Sequence, residues 1–269
     1  MSSFVNKVEI SNTQLLHRNL LVEKFKEMGI KQGMTIIVHS SLSSLGWVSG
    51  GAITVINSLM DVVTKEGTIV MPAHSVDNSD PQYWEAPPVP KEWWETIRDT
   101  LPPFDLQTTP TFGLGIIPEL FRSWPGVLRS NHPMYSFTAW GRHSKSIVAD
   151  HSLNFGLGKK SPLGKLYELD AYVLLLGVGF ENNTSFHMAE YQLETKNIIT
   201  QSSAILEDGE RVWKTYKDID LDPDDIFEVL GEAFEIRSPV TTYKIANAKV
   251  KFFKQKDAVN FAFDWLKNR

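Results

Sequence analysis

The chain has 269 residues, 42% of them hydrophobic, and a formal net charge of -5. That length can bury a sizeable core in one large domain or two small ones. Charged residues make up 22% without the basic clusters a nucleic-acid binder needs, and the lack of cysteine excludes disulfides, thiolate metal sites and a cysteine nucleophile.

The N-terminal stretch holds no apolar run of signal-peptide length, and no segment approaches the roughly 20 apolar residues of a membrane span. A cytoplasmic protein with no membrane or nucleic-acid partner is expected. Asn12 and Thr13 read as caps of a helix over 12–28. Leu15, Leu16, Leu20, Leu21, Phe25 and Met28 follow at helical spacing, and Gly29 ends the run. The β-branched run "MTIIVHSS" (34–41) has the character of a strand buried on both faces. Residues 50–67 read as a helix and 68–75 as a second buried strand. This order predicts a βαβ unit and a parallel sheet.

Residues 76–110 are rich in proline, tryptophan and acidic side chains, and are long for a plain loop. They read either as a lid over a substrate or as a peripheral insertion pinned by its tryptophans. A short helix over 115–126, a third buried strand over 171–180 and a helix over 184–195 come next. Residues 203–216 read as a hairpin turning at Asp208-Gly209. A helix over 223–237, a strand pair over 240–253 and a helix over 257–269 complete the chain. No linker divides it, so a single domain over 1–269 is expected, with an excursion at about 76–110.

Four stretches carry polar groups in suggestive patterns. "HSSLSSLGWVSGG" (39–51) joins a strand to a helix with hydroxyls and glycines. Such a junction exposes backbone N–H groups to a phosphate-bearing or acyl ligand near Ser40, Ser41, Ser43, Gly50 and Gly51. It is equally readable as a serine-rich turn. In "RSNHPMYSF" (129–137), the planar fork of Arg129 suits a phosphate, or His132 simply braces the turn. "GLGKKSPLGK" (156–165) fails as a nucleotide loop, because Leu166 follows Lys165, and instead caps a helix that begins at Ser161-Pro162.

The fourth stretch is "FENNTSFHMAEY" (180–191). Asn183, Thr184 or Ser185 can cap a helix whose first turn holds His187, with Glu190 three residues on along the same face. That pair is either a base with its orienting carboxylate or an exposed ion pair on a capped helix. A serine hydrolase using Ser40 or Ser41 with His187 and Glu190 would lack G-x-S-x-G. A metal site drawn from His39, His74, His132 and His187 would lack a short-spaced ligand pair.

Taken together, "HSSLSSLGWVSGGAITVI", "MPAHS", "TPTFGLGIIPELFRSWPGVLRSNHPMYSFTAWG" and "DHSLNFGLGKKSPLGKLYELDAYVLLLGVGFENNTSFHMAEY" resemble the aminoglycoside 3-N-acetyltransferase family. The resemblance runs through roughly residues 15–195. It implies an α/β fold, a three-layer α/β/α sandwich around a mostly parallel central sheet, distinct from the GNAT fold. It implies acetyl-coenzyme A as co-substrate, no metal, and a small-molecule amine acceptor, typically the 3-amino group of a 2-deoxystreptamine aminoglycoside. A homodimer is compatible with it.

By the same resemblance, Ser40, Ser41, Leu42, Ser43, Leu45, Gly46 and Gly51 match the family's coenzyme A segment. Thr111, Phe112, Arg129, Ser130, His132 and Ser136 match further motifs near the cofactor. His187 and Glu190 match the catalytic histidine and its acidic partner. His187 would take the proton of the attacking amine, with direct attack on the thioester and no covalent enzyme intermediate. Asp77, Asp80 and Glu85 are the acidic candidates for gripping a cationic acceptor. One departure stands out: Phe186 precedes His187 where many resistance enzymes carry paired histidines. A hydrolase, or a coenzyme A-binding protein with another amine acceptor or none, is the rival reading.

Overall fold

The computed structural model describes residues 14–85, 87–223 and 225–269. Helix α1 spans Arg18–Glu27, and the ring of His17 caps it by accepting from the Leu20 amide at 3.4 Å. The expected caps, Asn12 and Thr13, lie outside the described residues. Strand β1 (Thr35–Ser40) leads through one helical turn, α2 (Leu42–Leu45), into helix α3 (Gly51–Val63) and strand β2 (Thr68–Pro72). Helix α3 ends before the expected Gly67, because Thr64 adopts φ 57° and breaks the ladder.

The excursion holds helix α4 (Trp94–Thr100), and α5 (Ile116–Arg122) follows it. Strands β3 (Leu128–Arg129) and β4 (Phe137–Gly141) come next, then α6 (Ser144–Val148) and α7 (Pro162–Glu168). Ser161 caps α7 by accepting from the Leu163 amide at 3.1 Å, with Pro162 in the first turn, as expected. Strand β5 (Tyr172–Leu176) precedes the one-turn helix α8 (His187–Glu190). Beyond α8, amides bond back three residues (Leu193 to Glu190, Lys196 to Leu193), so tight turns replace the expected helix. Strands β6 (Ile198–Glu207) and β7 (Glu210–Ile219) form the hairpin turning at Asp208-Gly209. Helix α9 (Ile226–Arg237), strands β8 (Thr241–Ile245) and β9 (Ala248–Lys254), and helix α10 (Gln255–Lys267) complete the chain.

Seven strands form one sheet in the order β3-β4-β2-β1-β5-β9-β8. The central trio β2-β1-β5 is parallel, and antiparallel strands extend it on both sides. Strand parity sorts the core into two halves. Ile36, Val38, Ile69, Met71, Leu174 and Leu176 face a layer containing α1, α3 and α5. Ile37, Val70, Val173 and Leu175 face the opposite layer of α6 to α10. The result is the three-layer α/β/α arrangement.

The excursion lies against the β6–β7 hairpin. Phe104 N donates to Ala204 O at 2.8 Å, Ser203 Oγ to Asn78 O at 2.6 Å, and Arg211 Nε to Leu101 O at 2.9 Å. Two of its tryptophans tie it internally: Trp84 Nε1 donates to Ser79 Oγ at 3.0 Å and Trp94 Nε1 to Val89 O at 3.3 Å.

Candidate active site

After β1 the chain passes to β2 on one side, while β5 pairs on the other. Ligands of open α/β sheets bind outside the carboxyl ends of the strands at such a switch point. A cavity of about 1170 Å³ opens there. Its wall includes Ser40 and the loop that follows β1, His74 after β2, and Val178 after β5.

The loop after β1 brings most of its candidate residues to this cavity. Ser40, Ser41, Leu42, Ser43, Gly46 and Gly51 line the cavity. Leu45 does not: it is fully buried in the core beneath, because one turn of helix turns its side chain inward. Ser41 caps α2, accepting from the Ser44 amide at 3.3 Å and the Ser44 hydroxyl at 2.9 Å. The Ser40 hydroxyl is buried and has no hydrogen-bond partner among the described residues.

His187 lines the same cavity. Asn183 starts the turn that carries it, its Oδ1 accepting from the Ser185 amide at 3.3 Å. His187 Nδ1 lies 2.6 Å from Glu190 Oε2, so the carboxylate holds the tautomer with its proton on Nδ1 and Nε2 as the basic nitrogen. The Phe227 ring of α9 packs edge-on to the imidazole, with centroids 4.7 Å apart. Glu190 is fully buried. Burial opposes its ionisation, yet hydrogen bonds from His187, Lys196 Nζ (2.6 Å) and the Asp222 amide (2.7 Å) outweigh it and hold the carboxyl below its usual range.

Two more histidines share the wall, His39 and His74. His39 has the parity of Ile37, so it faces the same sheet side as α8. His74 packs edge-on against Tyr135 and Phe137. Burial pushes both down to about 3, so both are neutral, and each has a buried Nε2 without a partner among the described residues.

The other expected contacts lie elsewhere. Arg129 is buried, and its guanidinium donates to Ser136 Oγ (2.9 Å), Thr109 O (2.5 Å), Ala73 O (2.8 Å) and Ser75 Oγ (3.0 Å), which leaves its fork no face for a phosphate. Ser136 Oγ donates to Ala73 O at 2.6 Å, and Ser130 Oγ accepts from the Phe137 amide at 2.9 Å. His132 braces the turn: Nδ1 accepts from the Tyr135 amide at 2.9 Å and Nε2 meets Leu153 O at 3.2 Å. Tyr135, inside the same segment, is the residue that reaches the cavity. Thr111 donates its amide to Glu119 Oε2 at 2.8 Å, and the Phe112 side chain is exposed; the wall is built instead by 113–116 just beyond.

Asp77, Asp80 and Glu85 do not line the cavity. Asp80 is buried, caps the turn at 81–83 and holds Arg98 in a two-point ion pair (2.8 and 2.9 Å), so both its oxygens are engaged within the excursion. Glu181 and Asp222 are the carboxylates in the wall. Glu181 lies inside the 180–191 stretch itself, but nothing in the sequence signals that Asp222 folds back onto Glu190.

The sequence model of the family described as aminoglycoside 3-N-acetyltransferase matches residues 37–267. The chain belongs to the aminoglycoside 3-N-acetyltransferase family. It is therefore an enzyme of the acyltransferase class. A Bacillus subtilis (strain 168) relative, the SPbeta prophage-derived aminoglycoside N(3')-acetyltransferase-like protein YokD, is 49% identical over 98% of this chain and 97% of its own. The aminoglycoside N(3)-acetyltransferase III of Pseudomonas aeruginosa is 34% identical over 93% of each chain. The crystal structure of YokD superposes with a TM-score of 0.96 at 48% identity, covering 98% of both chains. Two other acetyltransferase structures, AAC-IIIb binary with CoASH (TM-score 0.84, 28% identity, 95% of this chain and 98% of that one) and AAC-VIa bound to sisomicin (0.85, 28%, 95% and 99%), show the same fold. No helix among the described residues is long and apolar enough to cross a membrane.

Proposed function

We propose that the enzyme transfers the acetyl group of acetyl-coenzyme A to the 3-amino group of a 2-deoxystreptamine aminoglycoside, with His187 as general base. The observation that carries this reading is the His187–Glu190 pair at 2.6 Å, with His187 lining the same cavity as Ser40, Ser41, Ser43, Gly46 and Gly51. The residues present fit coenzyme A. Ser40, Ser41, Ser43 and Gly46 offer hydroxyls and close backbone approach, and the buried Ser40 hydroxyl lacks a partner that a ligand would supply. Acetyl-coenzyme A supplies the activated acyl group.

His187 Nε2 takes the proton that the acceptor ammonium must lose, and Glu190 stabilises the imidazolium that results. The Leu42 and Ser43 amides, which open α2 where a helix leaves its N–H groups without internal partners, are the donors that would meet the negative charge developing on the acyl oxygen. Glu181 in the wall favours a cationic acceptor. AAC-IIIb with CoASH and AAC-VIa with sisomicin support both ligand assignments by likeness.

The test is a screen of coenzyme A release across aminoglycosides and simple monoamines, with His187→Ala as the control. Aminoglycosides should exceed monoamines in kcat/KM. The variant should lose about 10²–10⁴-fold in kcat while calorimetry still shows acetyl-coenzyme A binding. Full activity in the variant, or equal turnover of monoamines, overturns the reading.

A further inference from the structure

Both oxygens of Glu190 are engaged. One oxygen meets His187 Nδ1 at 2.6 Å, and the other accepts from Lys196 Nζ at 2.6 Å and from the Asp222 amide at 2.7 Å. Lys196 also reaches Asp222 Oδ1 at 2.9 Å and Asp220 O at 3.2 Å. Lys196 lies just before β6, and Asp220 to Asp222 just after β7. The two feet of the hairpin are thus tied together on the carboxylate that holds His187.

We propose that Lys196 is a positioning residue whose charge, clamped between Glu190 and Asp222, limits how strongly the His187 imidazolium is stabilised, so that His187 releases its proton within the working pH range. The proposal rests on His187 being the base. With a neutral imidazole, Glu190, Asp222 and Lys196 sum to one negative charge; without Lys196 they sum to two. More uncompensated negative charge beside an imidazole favours its protonated form. A base that holds its proton to higher pH is a poorer acceptor at neutral pH.

The groups facing His187 come from several elements. Glu190 belongs to α8 itself, and Lys196 and Asp222 to the feet of the hairpin. Asp218 on β7 interacts with the ring electrostatically, as does His74 beyond β2, and α9 contributes the apolar Phe227 edge. Lys196 is the cation of this set.

The experiment follows the histidine directly. Side-chain NMR titration of histidine-labelled enzyme without cofactor gives the His187 midpoint, assigned by its loss in His187→Gln. Lys196→Gln keeps a hydrogen-bond donor and removes the charge. It should raise the midpoint by about one pH unit, a tenfold gain in proton affinity. Lys196→Arg should leave it in place. Asp222→Asn should lower it, and this variant serves if Lys196→Gln does not fold. A purely structural role for Lys196 would leave the midpoint unmoved in folded Lys196→Gln, and that result overturns the proposal, as does a midpoint that does not fall in Asp222→Asn. The acid limb of kcat/KM should follow the NMR midpoint. If the midpoint moves and the limb does not, the clamp stands and His187 is not the base.

Discussion

Arg129 carries a positive charge in the interior, and its hydrogen bonds go to neutral acceptors: two carbonyls and two hydroxyls. Burial pulls the guanidinium down to about 10, and the Phe104 ring lies 4.8 Å from its centre. The arginine therefore stitches 73–75, 109 and 136 together instead of meeting a ligand. Arg129→Met leaves Thr109 O without its side-chain donor, while Ala73 O keeps the Ser136 hydroxyl and the Ser75 hydroxyl keeps Pro110 O; one such lost partner costs roughly 1–3 kcal/mol where water cannot reach. Chemical denaturation should show a loss of about 1–3 kcal/mol, while the Kd of the folded enzyme for coenzyme A stays within about threefold. A selective loss of coenzyme A affinity at unchanged stability would restore the phosphate reading. The residue type was legible as a planar fork, but its use was not: the convergence of Ala73, Ser75, Thr109 and Ser136 is a tertiary fact. His187 and Glu190 were legible because both the spacing and the contact lie within one helical turn. Lys196 and Asp222 were not, because they reach Glu190 only through the closure of the hairpin.

Among the elements, those with long apolar periodicity or a β-branched run (α1, α3, β1, β2, β5) were visible in the sequence, with shifted ends. Strand β4 was missed. Its five residues, "FTAWG", are too short to show a period, and its strand character comes from pairing with β2. Helix α9 shows how an element reaches the site. Gly231 sits in its middle, where a Cβ would lie 2.0 Å from Cγ and 2.3 Å from Cβ of the fully buried Phe180. Phe227, one turn earlier on α9, packs on the His187 ring. Gly231→Ala gains up to about 1 kcal/mol of helix propensity, but it forces α9 and Phe180 apart in a packed core. Overpacking of that kind typically costs about 1–3 kcal/mol. A net loss of thermal stability is expected, with a fall in kcat as Phe227 moves; an unchanged or raised Tm would show that α9 can slide without cost.

At the scale of the whole molecule, the sheet gathers histidines that the fold keeps uncharged. His39 and His74 are held near 3 by burial, His151 near 4, and His132 well below its ordinary value. His132 and His151 pack against each other with centroids 4.7 Å apart, and His151 Nε2 bonds Gly156 O at 2.7 Å. An unfolded chain would protonate these rings near 6.5. Above that pH both states are neutral, and the histidines contribute nothing to the pH dependence. Below it the unfolded state binds protons that the folded state refuses, so stability falls as pH falls, and keeps falling until the folded values near 3–4 are reached. Each ring adds a slope of about 1.4 kcal/mol per pH unit once the unfolded form is fully charged. Glu190, depressed in the folded state, adds its loss only at still lower pH, below the usual carboxylate value. Urea midpoints taken from pH 7.5 to 4.5 should therefore stay level in this respect down to about 7. They should then drop with a slope of several protons, before carboxylate protonation begins. A slope below one proton between pH 6 and 5 would mean that the rings accept protons in the folded state. In that event the cavity wall around His187 would carry positive charge where a cationic acceptor has to bind.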